Sequence, residues 1–180
     1  KNDEVHERLS VQFRDHSIER IYHAFVRGTS RMQEGMVDRP IGRHVRDRKK
    51  MSTRSRSGRV ALTRWRTLER FPDYATTLLE VRPETGRTHQ VRIHLAENHL
   101  PILGDDRYAT AAVQRQAPRL CLHAVVLGIV HPRTGEALRF TSPLPDDMEQ
   151  IRRGLVHEAK NPVVKRIKSK IPKKRRRPKR

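Results

Sequence analysis

Residues 84–94, Glu-Thr-Gly-Arg-Thr-His-Gln-Val-Arg-Ile-His, stand between an alternating strand-like run and a second apolar stretch, and they gather an unusual density of hydrogen-bond donors. Before them, Thr77, Leu79 and Val81 alternate with Leu78, Glu80 and Arg82, the two-residue rhythm of a strand. After them comes a second apolar stretch, Val91, Ile93, Leu95, Leu100 and Ile102, and a helix is expected over about 88–97. On that reading the chain turns from strand into helix here. It puts Gly86, Arg87, Thr88, His89, Gln90 and Arg92 at the turn. A helix start offers unpaired backbone N–H groups and a positive dipole end, so this corner suits an anionic, hydrogen-bonding ligand. A solvated basic turn would carry the same residues, and the corner alone leaves both readings open.

The remaining segments predict an architecture around that corner. Val5, Leu9 and Phe13 recur at helical spacing, giving an amphipathic helix to about Arg14. Residues 18–27 are rich in strand formers and end at Gly28. Residues 36–41 form a short extended piece that Pro40 confines to an edge or a strand end. Strands are expected at 60–68 and 75–81, with Phe71-Pro72-Asp73-Tyr74 closing a hairpin between them. Two more are expected at 120–130 and 137–140 around a turn at 131–135. A last helix starts after Pro145, where Asp146 and Asp147 favour an N-terminus. Adjacent strands with few helices between them predict an α+β domain with a mixed, mainly antiparallel sheet and flanking helices. The domain is expected over 1–156, followed by a basic, disordered tail over 157–180.

Charge separates these two parts. The net charge is +20, yet twelve of the forty Lys and Arg, and none of the twenty acids, lie from Lys160 onward. A polyanion, nucleic acid foremost, suits both the tail and the moderately basic domain. A solubilising or membrane-surface role for the tail is the competing reading. Residues 43–59 hold eight Lys or Arg against one acid and almost nothing apolar, so a loop or loosely held hairpin is expected. Several chemistries are excluded. No His pair has metalloprotease spacing, and His89, His94 and His99 step by five, off a common helix face. One cysteine excludes ordinary zinc-finger sets and an internal disulfide; within an apolar run, Cys121 is expected to be a buried small side chain. Glycine-rich nucleotide loops and a serine-nucleophile elbow are absent. With no bilayer-length apolar run and no signal-peptide core, no membrane association and a cytoplasmic setting are expected.

The segment from Gly86 to His94, followed by Pro101-Ile102-Leu103-Gly104-Asp105 and Tyr108, resembles the RluA-type RNA pseudouridine synthases. Further stretches keep that family's order: Gln12-Phe13-Arg14 then Tyr22, Val37-Asp38-Arg39-Pro40-Ile41, Leu122-His123-Ala124, His131-Pro132, and Ser142-Pro143-Leu144-Pro145. The likeness covers about residues 1–154. It implies isomerisation of uridine in ribosomal or transfer RNA: the N1–C1′ bond breaks, the uracil turns, and C5 takes its place. By position, Tyr22 resembles the tyrosine that lies against the base, and Arg92 the basic partner of a nucleophilic aspartate. An arginine beside a carboxylate holds it ionised and aimed, and a phenol can stack on uracil and exchange a proton.

The family carries its aspartate in a His-Arg-Leu-Asp-x-x-Thr-Ser-Gly segment, which nothing here matches. The expectation is that this segment precedes Lys1, that the chain is the C-terminal part of the catalytic domain, and that it is inactive by itself. An exposed sheet edge would follow. RNA contacts are expected from Arg43, Lys49, Lys50, Arg54, Arg56 and Arg59 in the basic segment, and from Arg87, Thr88, His89 and Gln90 at the corner. No metal or organic cofactor is implied, and a monomer is expected. The alternative is a non-catalytic RNA-binding protein built on the same fold.

Overall fold

Alternating apolar residues generate one six-stranded sheet whose order in space departs from its order in the chain. The structure is a computed structural model, and it describes residues 2–29, 32–45, 47, 50–55 and 57–160. The expected contacts at Lys49 and Arg56, and the basic tail beyond residue 160, lie outside the described residues. The elements are α1 (Asp3–Arg14), β1 (Glu19–Arg27), β2 (Glu34–Asp38), β3 (Gly42–Arg43), β4 (Met51–Ser52), β5 (Leu62–Phe71), a 3-10 turn (Pro72–Tyr74), β6 (Thr76–Pro83), α2 (Gln90–Glu97), α3 (Ala111–Gln114), β7 (Leu122–Val130), β8 (Ala137–Thr141) and α4 (Asp146–Lys160). The sheet runs β2-β5-β6-β1-β7-β8, and these neighbours pair antiparallel; β3 and β4 make a separate ribbon. The α+β class with a mainly antiparallel sheet is as expected.

The chain divides into two units, Lys1–Pro145 and Asp146–Arg180. The described part of the second is α4. Asp146, Asp147 and Glu149 occupy its first turn, where the helix dipole favours acids, and Glu149 pairs with Arg152 and Arg153. The helix continues to Lys160, so it takes in residues 157–160, which were expected to belong to the tail.

Three boundaries differ from the sequence reading for local reasons. β2 starts earlier, where Gly35 packs closely on Trp65 (a Cβ there would come 2.3 Å from the indole), and stops before Pro40, which has no N–H to offer the ladder. β5 runs on to Phe71 because a bulge between Thr67 and Glu69 absorbs Leu68 and pairing then resumes. α3, four residues long, is too short for any periodicity to announce. The amphipathic α1 buries no residue completely, and Phe13 stays 51% exposed. Polar bonds attach it instead: Gln12 Nε2 donates to the Val130 carbonyl (2.7 Å), and the Val130 N–H donates to Gln12 Oε1 (2.9 Å).

The two faces of the sheet are chemically distinct. On one, Gly35, Trp65, Val81, Tyr22 and Ala124 stand in a row across five strands. Thr63, one step away on this face, hydrogen-bonds two residues of α2, so the helix covers the face that carries Tyr22. On the other, Glu34, Arg66, Glu80, His23 and His123 form a polar row. Between the sheet and α2 the core includes Leu79, Val81 and Leu95, all fully buried, and Cys121 is buried as expected.

Candidate active site

The corner is folded around one side chain. Gln90 Oε1 accepts from the Thr85 hydroxyl (2.7 Å) and the Arg87 N–H (2.9 Å), while Nε2 donates to the Leu62 carbonyl (2.9 Å) and the Thr63 hydroxyl (3.0 Å). These four bonds fill the hydrogen-bonding capacity of a carboxamide, and the residue is 4% exposed. Gln90 therefore builds the corner and has no spare donor for RNA, which corrects the role expected for it. The same wrapping delays the helix from Thr88 to Gln90, since His89 at its N-cap takes the left-handed backbone conformation (φ 58°).

Beside this corner lies a cavity of about 350 Å³. Tyr22 and Arg92, far apart in sequence, both line it, together with Arg87, His89 and the apolar Leu120 and Leu122. A bulge aims the tyrosine: β1 and β7 slip register between Ile21 and Tyr22, so Tyr22 faces Ala124 while Ile21 faces Val126. The sequence reading missed Arg20, which lines the cavity two residues before Tyr22 on the same strand. Its guanidinium crosses Gly86, where a Cβ would come 2.8 Å from Nη1, and its buried Nε has no hydrogen-bond partner among the described residues. The two-residue strand spacing from Tyr22 was the available signal.

Arg92 is held before any substrate arrives. Its Nε donates to Asp105 Oδ2 (3.0 Å) and its Nη2 to Asp105 Oδ1 (2.6 Å) and Asp106 Oδ1 (2.7 Å). Burial alone would raise the Asp105 carboxyl. Bonds from Arg92 and from the Tyr108 and Arg107 backbone N–H groups outweigh it and hold the group below its ordinary value. The Arg92 guanidinium also lies 5.4 Å from the centre of the Tyr108 ring. Those bonds use Nε and Nη2, which leaves Nη1 as the part of the fork able to meet a third group.

Tyr108 ties three elements together. Its hydroxyl accepts the Met51 N–H of the ribbon (2.9 Å) and is 2.9 Å from His89 Nδ1. Met51 and Tyr108 also pack on the cluster Ile41, Ala61 and Ile93. The basic segment is thus anchored as a hairpin, with Ile41 and Arg59 exchanging backbone bonds at its base (2.9 Å each). Of the expected RNA contacts, Arg87, His89 and the fully bonded Gln90 line the first cavity, whereas Lys50 and Arg54 line a second one. Arg43, Arg59 and Thr88 are exposed and line neither. Arg87 Nε donates to the Val60 carbonyl (3.1 Å).

His94 is a structural histidine. Its Nε2 is 3.0 Å from the Arg39 carbonyl, which can only accept, so Nε2 carries the proton and Nδ1 accepts from the Thr63 hydroxyl (2.8 Å). Burial lowers its pKa, as it does for His89 and His23. The native pKa values lie below the ordinary 6.5, so at lower pH the unfolded chain binds more protons than the native one. Stability is then full above about pH 7 and falls as pH drops through 6.5. The melting temperature should decrease between pH 7.5 and 5.5, and His94→Gln should flatten that slope. A melting temperature constant over this range would contradict the neutral-histidine network. The lowered carboxyls Glu80 and Asp105 act only at more acidic pH.

Among the described residues no three His, Cys, Asp or Glu side chains are grouped to hold a metal, and no helix is long and apolar enough to cross a membrane.

The family model for RNA pseudouridylate synthase matches residues 1–97. An uncharacterized RNA pseudouridine synthase of Bacillus subtilis is 44% identical over 154 residues, covering 84% of this chain and 48% of the relative. Ribosomal large subunit pseudouridine synthase D of Vibrio cholerae is 41% identical over 165 residues, covering 85% and 50%. The chain thus spans about half the length of these curated relatives. Human RNA pseudouridylate synthase domain containing 1 shares the fold, with a TM-score of 0.67 at 22% identity over 83% of this chain and 70% of that one.

Proposed function

This chain belongs to the RNA pseudouridylate synthase family, and on that premise we propose that the protein containing it isomerises uridine to pseudouridine in ribosomal or transfer RNA. The observation that carries the proposal is the cavity shared by Tyr22 and Arg92. A uracil extruded from its strand would lie there against the phenol of Tyr22, with Arg92 reaching the reacting sugar through a carboxylate. Chemically, the N1–C1′ bond breaks, a C5–C1′ bond forms, C5 loses its proton and N1 gains one. Only nucleophilic and acid–base groups are needed, so the reaction uses no metal or organic cofactor. Asp105 and Asp106 hold Arg92 and do not line the cavity, which supports a nucleophile supplied from elsewhere. RNA is the partner, read by a monomer in the cytoplasm, with Arg87 and the anchored basic hairpin contacting phosphates.

Mass mapping of pseudouridine in ribosomal and transfer RNA, from cells with and without the intact gene, tests this reading. At least one pseudouridine should revert to uridine in the deletion and return when the gene is restored. Identical maps, with RNA binding by the purified intact protein retained, would leave the non-catalytic RNA-binding reading in its place.

A further inference from the structure

We propose that a second cavity, separate from the one lined by Tyr22, seats another nucleotide of the bound RNA; this rests on RNA being the substrate. The cavity holds about 500 Å³ and lies between the ribbon and the outer side of α2. Met51, Ile93, Ala96 and the Tyr108 ring give it apolar walls. Arg39, Lys50, Arg54 and Arg107 bring four positive charges to the same space. Among the described lining residues the one acid is Glu97, which already accepts the Thr53 hydroxyl and lies 3.7 Å from Arg39. Arg107 lies 4.0 Å from Asp106, outside the lining, and Lys50 and Arg54 add the remaining positive charge.

Both halves of this lining constrain the occupant. Four cations around one hollow repel one another and are relieved by an anion. A bare phosphate would satisfy the charges but leave the apolar walls wet. A nucleotide satisfies both: its base covers the half-buried Tyr108, Met51 and Ala96 surfaces, and its phosphate meets the cations. Base-on-aromatic contact of this kind tolerates any base, so the seat holds the strand without reading its sequence. The seat also adjoins the chemistry. The Tyr108 ring that lines it carries Arg92, and its hydroxyl bonds His89 of the first cavity. A nucleotide held here would brace the ring that positions Arg92 while the target uridine occupies the other cavity.

The test uses the intact protein and a fluorescently labelled twenty-nucleotide oligouridylate, with binding followed by anisotropy at several salt concentrations. Ala96→Phe fills the cavity, and it should weaken binding by about ten-fold. Lys50→Gln and Arg54→Gln should each flatten the logarithmic salt slope by about 0.7. Unaltered affinity in Ala96→Phe would overturn the seat and reduce the region to a charged surface. A lowered melting temperature with unaltered affinity would equally overturn it, since the hollow would then be filled by the protein itself. Should Ala96→Phe not fold, photocrosslinking of the wild type to 4-thiouridine-containing oligouridylate decides: adducts on Met51 or Tyr108 are expected, and adducts confined to other segments would overturn the proposal. Failure of these results, with pseudouridine still formed, removes the seat alone. Loss of isomerisation in every assay, with these binding results intact, removes the enzymatic reading alone.

Discussion

Tyr22→Phe in the intact protein is expected to abolish uridine isomerisation while leaving RNA affinity within about two-fold of wild type. The substitution removes one oxygen and keeps the ring, so stacking of uracil, worth about 1–3 kcal/mol, is retained. What goes is the only group on that ring able to take or give a proton. The effect should be confined to chemistry, because Tyr22 is only half-buried and its pairing with Val81 and Ala124 is made by the backbone. Release of tritium from RNA labelled at uridine C5 follows the step in which C5 loses its proton; anisotropy follows binding. Normal tritium release from Tyr22→Phe would exclude the phenol from the reaction. Parallel loss of release and affinity would make Tyr22 a binding residue only.

The elements that place Tyr22 were legible because they repeat a short pattern. Alternation marked β6, the Pro72–Tyr74 turn closed its hairpin with the strand expected at 60–68, and a run of strand formers marked β1. The corner at Gly86 to Arg92 was legible as a donor-rich turn. The partnerships inside the site were less so, because they join residues from elements distant in sequence. Gln90 looked like an RNA donor, but its amide is used by Leu62 and Thr63 on a strand more than twenty-five residues earlier. Tyr108 was visible as part of the family-like segment, but its role emerges only once Met51 of β4, and His89 and Arg92 at the start of α2, converge on it. Gly104 has a φ of +73°, and a Cβ there would lie 1.8 Å from the Arg119 carbonyl, so the backbone delivering Asp105 requires glycine. Neither that requirement nor the clasp of the Asp105 carboxylate on Arg92 follows from local sequence pattern, because both depend on residues brought together by the fold.

That clasp predicts a large loss of stability. Arg92→Ala leaves the fully buried Asp105 carboxylate with only two backbone N–H donors, and breaking a buried pair in this way costs about 3–5 kcal/mol. Asp105→Ala should cost less, since the guanidinium keeps Asp106, which is 61% exposed and can follow it toward water. The double variant should fall short of the sum of the two, because the second change removes a group the first had already stranded. A pH series separates this account from simple loss of packing. In the wild type Asp105 sits below its ordinary 3.8, so its stabilisation is present above that pH and disappears as acid is added. Without Arg92, burial dominates and the native pKa rises above the unfolded one, so protonation now favours the folded state. The gap in unfolding free energy between wild type and Arg92→Ala should therefore shrink as pH falls from 7 toward 4, measured by urea unfolding at each pH. A gap that stays constant would mean that Arg92 stabilises the chain by packing, with Asp105 already satisfied by its backbone donors.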